Sequence, residues 1–253
     1  MKALVENKIL NIVIPMAGRG SRFSDSGFNE PKPFISIFGR TMIELVVSNL
    51  RPKTPHRFIF VVQETHVGPY GLEAHLSSIA PGCEIIQLAE VTDGAAVTVL
   101  AARDLIDNAH ALMIANSDQY IDYDIDEYLN FFTDFSLDGL IMTMKADGNK
   151  WSYVKQDESG RVVDIKEKIA ISNDATVGIY NFSRGADFVA AADKMISLKE
   201  KQNGEYYVAP TYNYLPRSAK VRCFHIGEVN KNFFGLGTPA DLHRFMNFFG
   251  TLK

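Results

Sequence analysis

Apolar residues occur along this chain in short unbroken runs that alternate with amphipathic segments. The runs are rich in Ile, Val, Leu and Phe, a composition typical of strands buried on both faces of a mainly parallel sheet. They predict strands over 9–15, 57–63, 84–88, 111–116 and 140–145. The segments between them predict helices over 41–50, 93–108 and 124–135. This β-α-β order favours a doubly wound α/β sheet.

Local signals indicate how two of these helices begin and which faces are buried. The sequence from Thr41 to Glu44 is a capping-box pattern that opens the first helix. The second helix is expected to bury Val97, Leu100, Ala101 and Leu105, and the third Tyr128, Leu129 and Phe132.

The second half of the chain has shorter strands. They are predicted over 151–156 and 161–166, joined by a "DESG" turn, and over 177–182. A helix over 185–201, a strand over 221–226 and a last helix follow, the last with Thr238 as N-cap and Pro239 at its first position. No linker or repeat is visible, so we predict one domain over 1–253.

Composition and charge narrow the class of protein. The 253 residues are 46% hydrophobic and 22% charged, and the net charge of 26 − 30 = −4 argues against nucleic acid as a partner. Cys83 and Cys223 have no CxxC spacing, which argues against zinc and for a reduced compartment. We see neither a signal-peptide pattern nor a run long enough to cross a membrane, so the cytoplasm is the expected location.

The segment "GRGSRF" follows the first predicted strand and has the composition of a phosphate-binding loop. It fails the G-x-G-x-x-G pattern because Phe23 occupies the third glycine position, and it lacks the Gly-Lys-Ser/Thr of a P-loop. What remains is a turn whose backbone N–H groups can face an anion, with Arg19 and Arg22 adding charge. A turn with solvated arginines is the alternative interpretation.

A second short motif favours the anion interpretation. In "PKPF", Pro31 and Pro33 are expected to hold Lys32 in a rigid, extended bracket. The alternative is an ordinary surface lysine in a proline turn.

The two motifs together resemble the sugar-phosphate nucleotidylyltransferases, a family with a GT-A-like Rossmann core. Its G-x-G-[ST]-R signature is matched by Gly18 to Arg22, and its P-K-P by Pro31 to Pro33. The later segments "DGAAVTVLAA", "IANSDQY", "VVDIKEK", "ATVGIYNF" and "GLGTPADL" resemble further family motifs in the same order. The resemblance runs from Ile12 to about Leu242. It implies a three-layer α/β/α fold with a mainly parallel, mixed central sheet.

The resemblance also implies a reaction. An NTP and a phosphorylated acceptor would give an NDP-linked product and pyrophosphate, with Mg²⁺ as cofactor, for surface-polysaccharide precursor supply. The half over 9–135 would bind the nucleotide, with CTP and UTP as the leading candidates. The half over 136–253 would bind the acceptor, which could be a sugar phosphate, a polyol phosphate or a phosphorylated amino-acid derivative.

The resemblance assigns roles on the nucleotide side. Backbone N–H groups of Ala17, Gly18, Arg19, Gly20 and Ser21 would bind the triphosphate, and the Arg19 side chain would serve the phosphates or the acceptor. As catalytic residues, Arg22 would neutralise the departing pyrophosphate and Lys32 would stabilise charge at the α-phosphate. The residues expected near the nucleobase are Gln87, Glu90, Asp93, Gly94 and Ala95.

Further roles concern the metal and the acceptor. Asp118 ends a predicted strand and is the metal candidate, with a turn-capping aspartate as the alternative. Lys168, oriented by Glu167, would bind the acceptor phosphate, although both could belong to a solvated charge run. Gly178, Asn149, Tyr153 and Tyr180 are the other residues expected in the acceptor pocket.

The chain departs from the family at its last motif. Many members have D-x-G-T-P there, but this sequence has Gly235 in place of the aspartate that helps bind the metal. One carboxylate could suffice, Glu228 could substitute, or the protein could bind nucleotide without turnover. A GT-A glycosyltransferase is a further alternative, with its Asp-x-Asp motif within Asp122 to Asp126. The aromatic tail "FMNFFGTLK" leaves a homo-oligomer open.

Overall fold

The computed structural model describes residues 9–18 and 20–250. Its strands are β1 (Leu10–Pro15), β2 (Ser36–Ile37), β3 (Arg40–Thr41), β4 (His56–Gln63), β5 (Glu84–Leu88), β6 (Ala111–Ala115), β7 (Gln119–Ile121), β8 (Gly139–Lys145), β9 (Ser152–Gln156), β10 (Val162–Glu167), β11 (Asp174–Phe182), β12 (Val221–Glu228) and β13 (Phe233–Gly235). Its α-helices are α1 (Ser21–Ser24), α2 (Met42–Leu50), α3 (Val67–Tyr70), α4 (Leu72–Ile79), α5 (Ala95–Leu100), α6 (Arg103–Ile106), α7 (Ile125–Asp134), α8 (Gly185–Ser197) and α9 (Pro239–Gly250).

One large mixed sheet organises the described residues. It runs in the order β10-β9-β11-β6-β1-β4-β5, and β8 pairs with β11 and with β12. Strands β6, β1, β4 and β5 are mutually parallel, as the unbroken apolar runs predict. Strand β11 is antiparallel to β6, β8 and β9, so it runs opposite to the parallel strands and makes the sheet mixed.

The core lies on both faces of this sheet, and β1 shows why. Ile12 and Ile14 point into a cluster with helices α2, α4 and α7, whereas Val13 points into a second cluster with α5, α6 and α8. Successive side chains of a strand face opposite sides, so a central strand is mostly apolar when helices cover both faces. The three-layer α/β/α class is therefore confirmed.

Capping signals give correct helix starts. The Thr41 hydroxyl accepts a hydrogen bond from the Glu44 N–H at 3.2 Å, and the Thr238 hydroxyl accepts one from the Asp241 N–H at 3.1 Å. Helix α7 buries Tyr128, Leu129 and Phe132, as predicted.

The predicted helix over 93–108 is wrong in two respects. It is two short helices, α5 and α6, because Ala101 and Ala102 donate to residues three positions back and tighten the chain into a turn. The buried apolar positions are Ala96, Val99, Ala102 and Ile106, while Val97, Leu100 and Leu105 are only partly buried and Ala101 is exposed. Alanine and valine occur on every side of this segment, so composition does not mark the inward face.

The backbone conformation of the Pro-Lys-Pro segment also differs from its prediction. Pro31 is extended, but Lys32–Phe34 forms one 3₁₀ turn in which the Phe34 N–H donates to the Pro31 carbonyl at 2.8 Å. Lys32 therefore starts a tight turn and is not held in an extended segment.

A third apolar cluster lies under the C-terminal helix. Leu242 and Phe245 of α9 pack on Phe23 of α1 and Phe234 of β13. No helix within residues 9–18 and 20–250 is long and apolar enough to cross a membrane.

Candidate functional site

A cleft of about 1060 Å³ lies where β1, β4 and β6 end, which is where open α/β sheets place their ligands. The predicted site residues that line it are Gly18, Gly20, Arg22, Lys32, Asp118, Glu167, Lys168, Gly178, Tyr180 and Ala95. Residues far apart in the sequence thus meet in one cleft.

The glycine loop presents main-chain donors along one side of this cleft. Gly20 has a left-handed backbone with φ of 64°, and a Cβ added there would lie 3.7 Å from the Lys32 Cβ. The N–H groups of Ala17, Gly18 and Gly20 donate to no other described residue. Free N–H groups on a glycine turn form a concavity suited to an anion. Arg19 lies outside the described residues, and Ser21 is exposed at the start of α1.

Lys32 and Asp118 form an ion pair within the cleft. The Lys32 Nζ lies 2.9 Å from the Asp118 Oδ2, and the side chains are 23% and 26% exposed. Burial disfavours the ionised Asp118 carboxylate, but the charge and hydrogen bond of Lys32 and the charge of Arg22 outweigh burial. The pKa of Asp118 is therefore below its ordinary value, and the group is a carboxylate at neutral pH.

The surroundings of Asp118 fit a magnesium ligand. Gly237 faces the carboxylate so closely that a Cβ there would lie 2.7 Å from the Asp118 Oδ2, so the glycine leaves space beside that oxygen. Mg²⁺ prefers oxygen ligands and often takes only one or two carboxylates, completing its shell with phosphates and water. One carboxylate beside an anion loop therefore fits Mg²⁺ bound together with a triphosphate.

Neither position considered for a second metal carboxylate, 235 or 228, supplies one in the cleft. Gly235 lines the cleft without a side chain, and Glu228 lies outside it, paired with Lys231 at 2.7 Å. Across the described part of the chain, no group of three or more His, Cys, Asp or Glu side chains is placed to hold a metal. The structure therefore gives no support to the alternative that Glu228 replaces the family aspartate as a metal ligand.

On the acceptor side, a buried carboxylate and a lysine stand next to each other. Glu167 is 6% exposed and accepts a hydrogen bond from the Ser152 hydroxyl. Burial raises the pKa of Glu167, opposed by that bond and by the charge of Lys168. The Lys168 Nζ donates to the Tyr207 hydroxyl at 3.1 Å, and this bond raises the pKa of Lys168. Glu167 and Lys168 therefore lie together at the cleft, and their contact with an acceptor stays a prediction.

Gly178 is required by packing at the floor of the cleft. It has φ of 80°, at a register irregularity between β11 and β8. A Cβ would lie 2.1 Å from the Asn116 Nδ2 and 2.6 Å from the Gln119 Oε1. The two amides thus occupy the space over this glycine, and contact with an acceptor stays a prediction.

Several predicted residues lie away from the cleft lining. Tyr153 is fully buried in the core, Asn149 and Gln87 are exposed on the surface, and the Asp93 carboxylate is 2.8 Å from the Lys201 Nζ. Gly94 is likewise outside the lining. Its φ is 119°, and a Cβ would lie 2.6 Å from both N and O of Tyr206, so close contact with that backbone accounts for the glycine.

The Asp-x-Asp carboxylates serve a helix terminus. The Asp124 side chain accepts from the Asp126 N–H at 2.8 Å as the N-cap of α7, and Asp126 pairs with Lys53 at 3.2 Å. Neither these two residues nor Asp122 contributes to the cleft lining. The Asp-x-Asp motif is therefore not placed to bind a metal in the cleft, and the glycosyltransferase alternative loses this support.

Sequence reasoning missed three residues of this region: Gln63, Ser152 and Tyr207. Gln63 ends β4 at the same sheet edge as Asp118, so the strand-end rule that selected Asp118 applies equally to Gln63. Ser152 and Tyr207 lie in segments without a distinctive local pattern and meet Glu167 and Lys168 only through the fold.

Solved structures define the class of this fold. A nucleoside-diphosphate-sugar pyrophosphorylase from Vibrio cholerae superposes with a TM-score of 0.79 at 24% identity, covering 93% of this chain and 99% of that one. A UDP-glucose pyrophosphorylase complexed with UDP-glucose superposes with a TM-score of 0.75 at 16% identity, covering 97% and 100%. The fold is that of the GT-A-like nucleotidyltransferases.

The sequence comparison gives the family. The family model described as "Nucleotidyl transferase" matches residues 12–228, and the chain belongs to this family. It is 22% identical over 239 residues to the bifunctional protein GlmU of Methanocaldococcus jannaschii, covering 92% of this chain and 52% of GlmU. The chain spans about half the length of the curated relatives it matches.

Proposed function

We propose that this protein is a Mg²⁺-dependent nucleotidylyltransferase that joins an NTP to a phosphorylated acceptor and releases pyrophosphate. The observation that carries the proposal is the Lys32–Asp118 pair, 2.9 Å apart, in the same cleft as the glycine loop. Transfer of a phosphorus group needs a loop that binds anions, a positively charged side chain such as Lys32, and a carboxylate suited to Mg²⁺.

The chemistry needs no side-chain nucleophile. An acceptor phosphate oxygen, already anionic near neutral pH, forms a bond to the α-phosphorus as the bond to pyrophosphate breaks. The protein must then position the two substrates and neutralise charge. The N–H groups of Gly18 and Gly20 would bind the triphosphate, with Arg22 at the departing end and Lys32 at the α-phosphate. Mg²⁺ on Asp118 would add charge neutralisation and orient the phosphates when bound.

For the substrates we propose a pyrimidine nucleotide, CTP or UTP, and a sugar phosphate or a related polyol or non-sugar phosphate. The UDP-glucose in the complexed structural neighbour is compatible with the first part. Lys168 would take the acceptor phosphate, while Glu167 and Ser152 would meet hydroxyl groups. Surface-polysaccharide precursor supply is the proposed role.

A matrix of NTPs against phosphorylated acceptors tests the proposal. Purified protein with Mg²⁺ is incubated with each pair, and pyrophosphate release is measured. We expect release with at least one pair, dependent on both substrates and abolished by EDTA.

A second candidate is a nucleotide-binding regulatory protein without turnover, favoured by Gly235 in place of the family aspartate. It predicts saturable NTP binding in calorimetry but no pyrophosphate with any acceptor. That outcome would replace the enzymatic proposal.

A further inference from the structure

The side chain of Gln63 is bonded to the glycine loop from the neighbouring strand. β4 lies parallel to β1 with Val61 opposite Pro15, so Gln63, the last residue of β4, lies beside the start of the loop. Its Nε2 donates to the carbonyl of Ala17 at 3.0 Å and to that of Gly18 at 2.8 Å. Only the nitrogen end of the amide can face two carbonyl oxygens, so the contacts also fix how the amide is oriented.

These two bonds determine which way the loop presents its main chain. In a trans peptide the N–H points away from the carbonyl of the same unit. With the Ala17 carbonyl held against Gln63, the Gly18 N–H is turned to the opposite side, and Gly18 lines the cleft. Released carbonyls could rotate toward the cleft, where their oxygens would repel a triphosphate.

We propose that Gln63 is a positioning residue for nucleotide binding, which sets the anion-binding conformation of the loop without touching the reacting atoms. The inference rests on the proposed function, because it assumes that the loop binds the triphosphate. The proposed role concerns binding of the nucleotide only. Within the described chain, none of the hydrogen-bond partners of Gln63 belongs to the proposed acceptor side.

Two substitutions test the hydrogen bonds that the Gln63 amide donates to the loop. Gln63→Met removes both donors at similar length, and Gln63→Glu places a carboxylate against the two carbonyl oxygens. Gln156→Met is the matched control, since the Gln156 Nε2 also donates to a protein oxygen, Asp174 Oδ2 at 3.2 Å, but outside the cleft lining.

The test is calorimetric titration with CTP, UTP and pyrophosphate in the presence of Mg²⁺. For the nucleotide that the wild type binds, we expect about tenfold weaker binding by Gln63→Met, from the loss of two hydrogen bonds. Gln63→Glu should bind more weakly still, while Gln156→Met should stay within about twofold of wild type.

A kinetic measurement distinguishes positioning from loss of structure. In the reaction with any productive acceptor, Gln63→Met should raise KM for the nucleotide and leave kcat unchanged, whereas partial unfolding would lower kcat. Wild-type affinity in Gln63→Met, or a fall in kcat with unchanged KM, would overturn the inference. Absence of nucleotide and pyrophosphate binding in the wild type would instead overturn the proposed function on which it rests.

Discussion

The two sides of the cleft are built in different ways. The proposed phosphate side is mostly main chain, a single loop after β1 in which the N–H groups of Gly18 and Gly20 donate to no other described residue. The proposed acceptor side is made of side chains from separate segments, such as Ser152, Glu167 and Tyr207. Main-chain sites depend on backbone geometry and therefore on glycine, whereas side-chain sites depend on tertiary packing. The first can be recognised as a short motif, and the second forms only when the sheet is assembled.

Lys32→Ala should have the largest effect, because we propose that the Lys32 charge stabilises the α-phosphate during the transfer. We expect pyrophosphate release to fall about 10²- to 10³-fold. Lys145→Ala is the matched control, since Lys145 pairs with Asp174 at 2.6 Å away from the cleft. If Lys32→Ala kept most of the wild-type rate, the assignment of this lysine to catalysis would be wrong.

Gly94→Ala tests whether Gly94 is needed for packing against Tyr206 or for binding the nucleotide. A Cβ 2.6 Å from the Tyr206 backbone cannot be relieved by a rotamer change, so we expect a loss of about 3 kcal/mol in the free energy of unfolding. Gly82→Ala is the control, with φ of 78° and nothing within 4 Å, and should lose only about 1 kcal/mol. Denaturant unfolding measures both. A stable Gly94→Ala protein with weakened nucleotide binding would favour the ligand role.

Glu167→Gln tests the buried carboxylate of the acceptor side through pH. Burial raises its pKa in the folded protein above the ordinary value of 4.5, so the folded state binds more protons than the unfolded chain in that range. Stability should therefore decrease as pH rises from about 4.5 through the folded pKa. Gln cannot ionise, so the stability of Glu167→Gln relative to wild type should increase over the same range.

The measurement for this third prediction is urea unfolding between pH 4 and 7. Glu158→Gln, at an exposed position, serves as the control and should run parallel to wild type. A constant difference between Glu167→Gln and wild type across the range would show that Glu167 has no raised pKa.

Glu228→Gln should have the smallest effect. Glu228 is exposed, pairs with Lys231 and lies outside the cleft lining, so neither the rate nor the Mg²⁺ dependence should change by more than about twofold. Magnesium titration of pyrophosphate release measures this. A large increase in the Mg²⁺ concentration required would make Glu228 the missing second carboxylate.

The phosphate side and the sheet core were largely predictable from sequence. Apolar runs marked the parallel strands because helices cover both faces, and the caps at Thr41 and Thr238 marked helix starts. Lys32 and Asp118 were each selected as site residues from the sequence, but neither their ion pair nor the 3₁₀ turn at Lys32 was predicted.

The remaining differences have physical causes. The prediction of which side of α5 faces the core was wrong. This helix is mostly alanine and valine, so no polar side marks the one that faces solvent. Tyr153 was expected in the acceptor pocket but is fully buried, since strand alternation turns it into the core. Gln63 ends a predicted strand, but its hydrogen bonds to Ala17 and Gly18 depend on the register of β4 against β1.

The most direct test of the central claim is a crystal structure of the protein with CTP or UTP and Mg²⁺. The claim is that one cleft joins a main-chain triphosphate loop to a single metal carboxylate. We predict the triphosphate against the N–H groups of Gly18 and Gly20, the metal on Asp118, and the Lys32 Nζ moved from Asp118 to a phosphate oxygen. A nucleotide bound elsewhere, or a metal site without Asp118, would contradict the account.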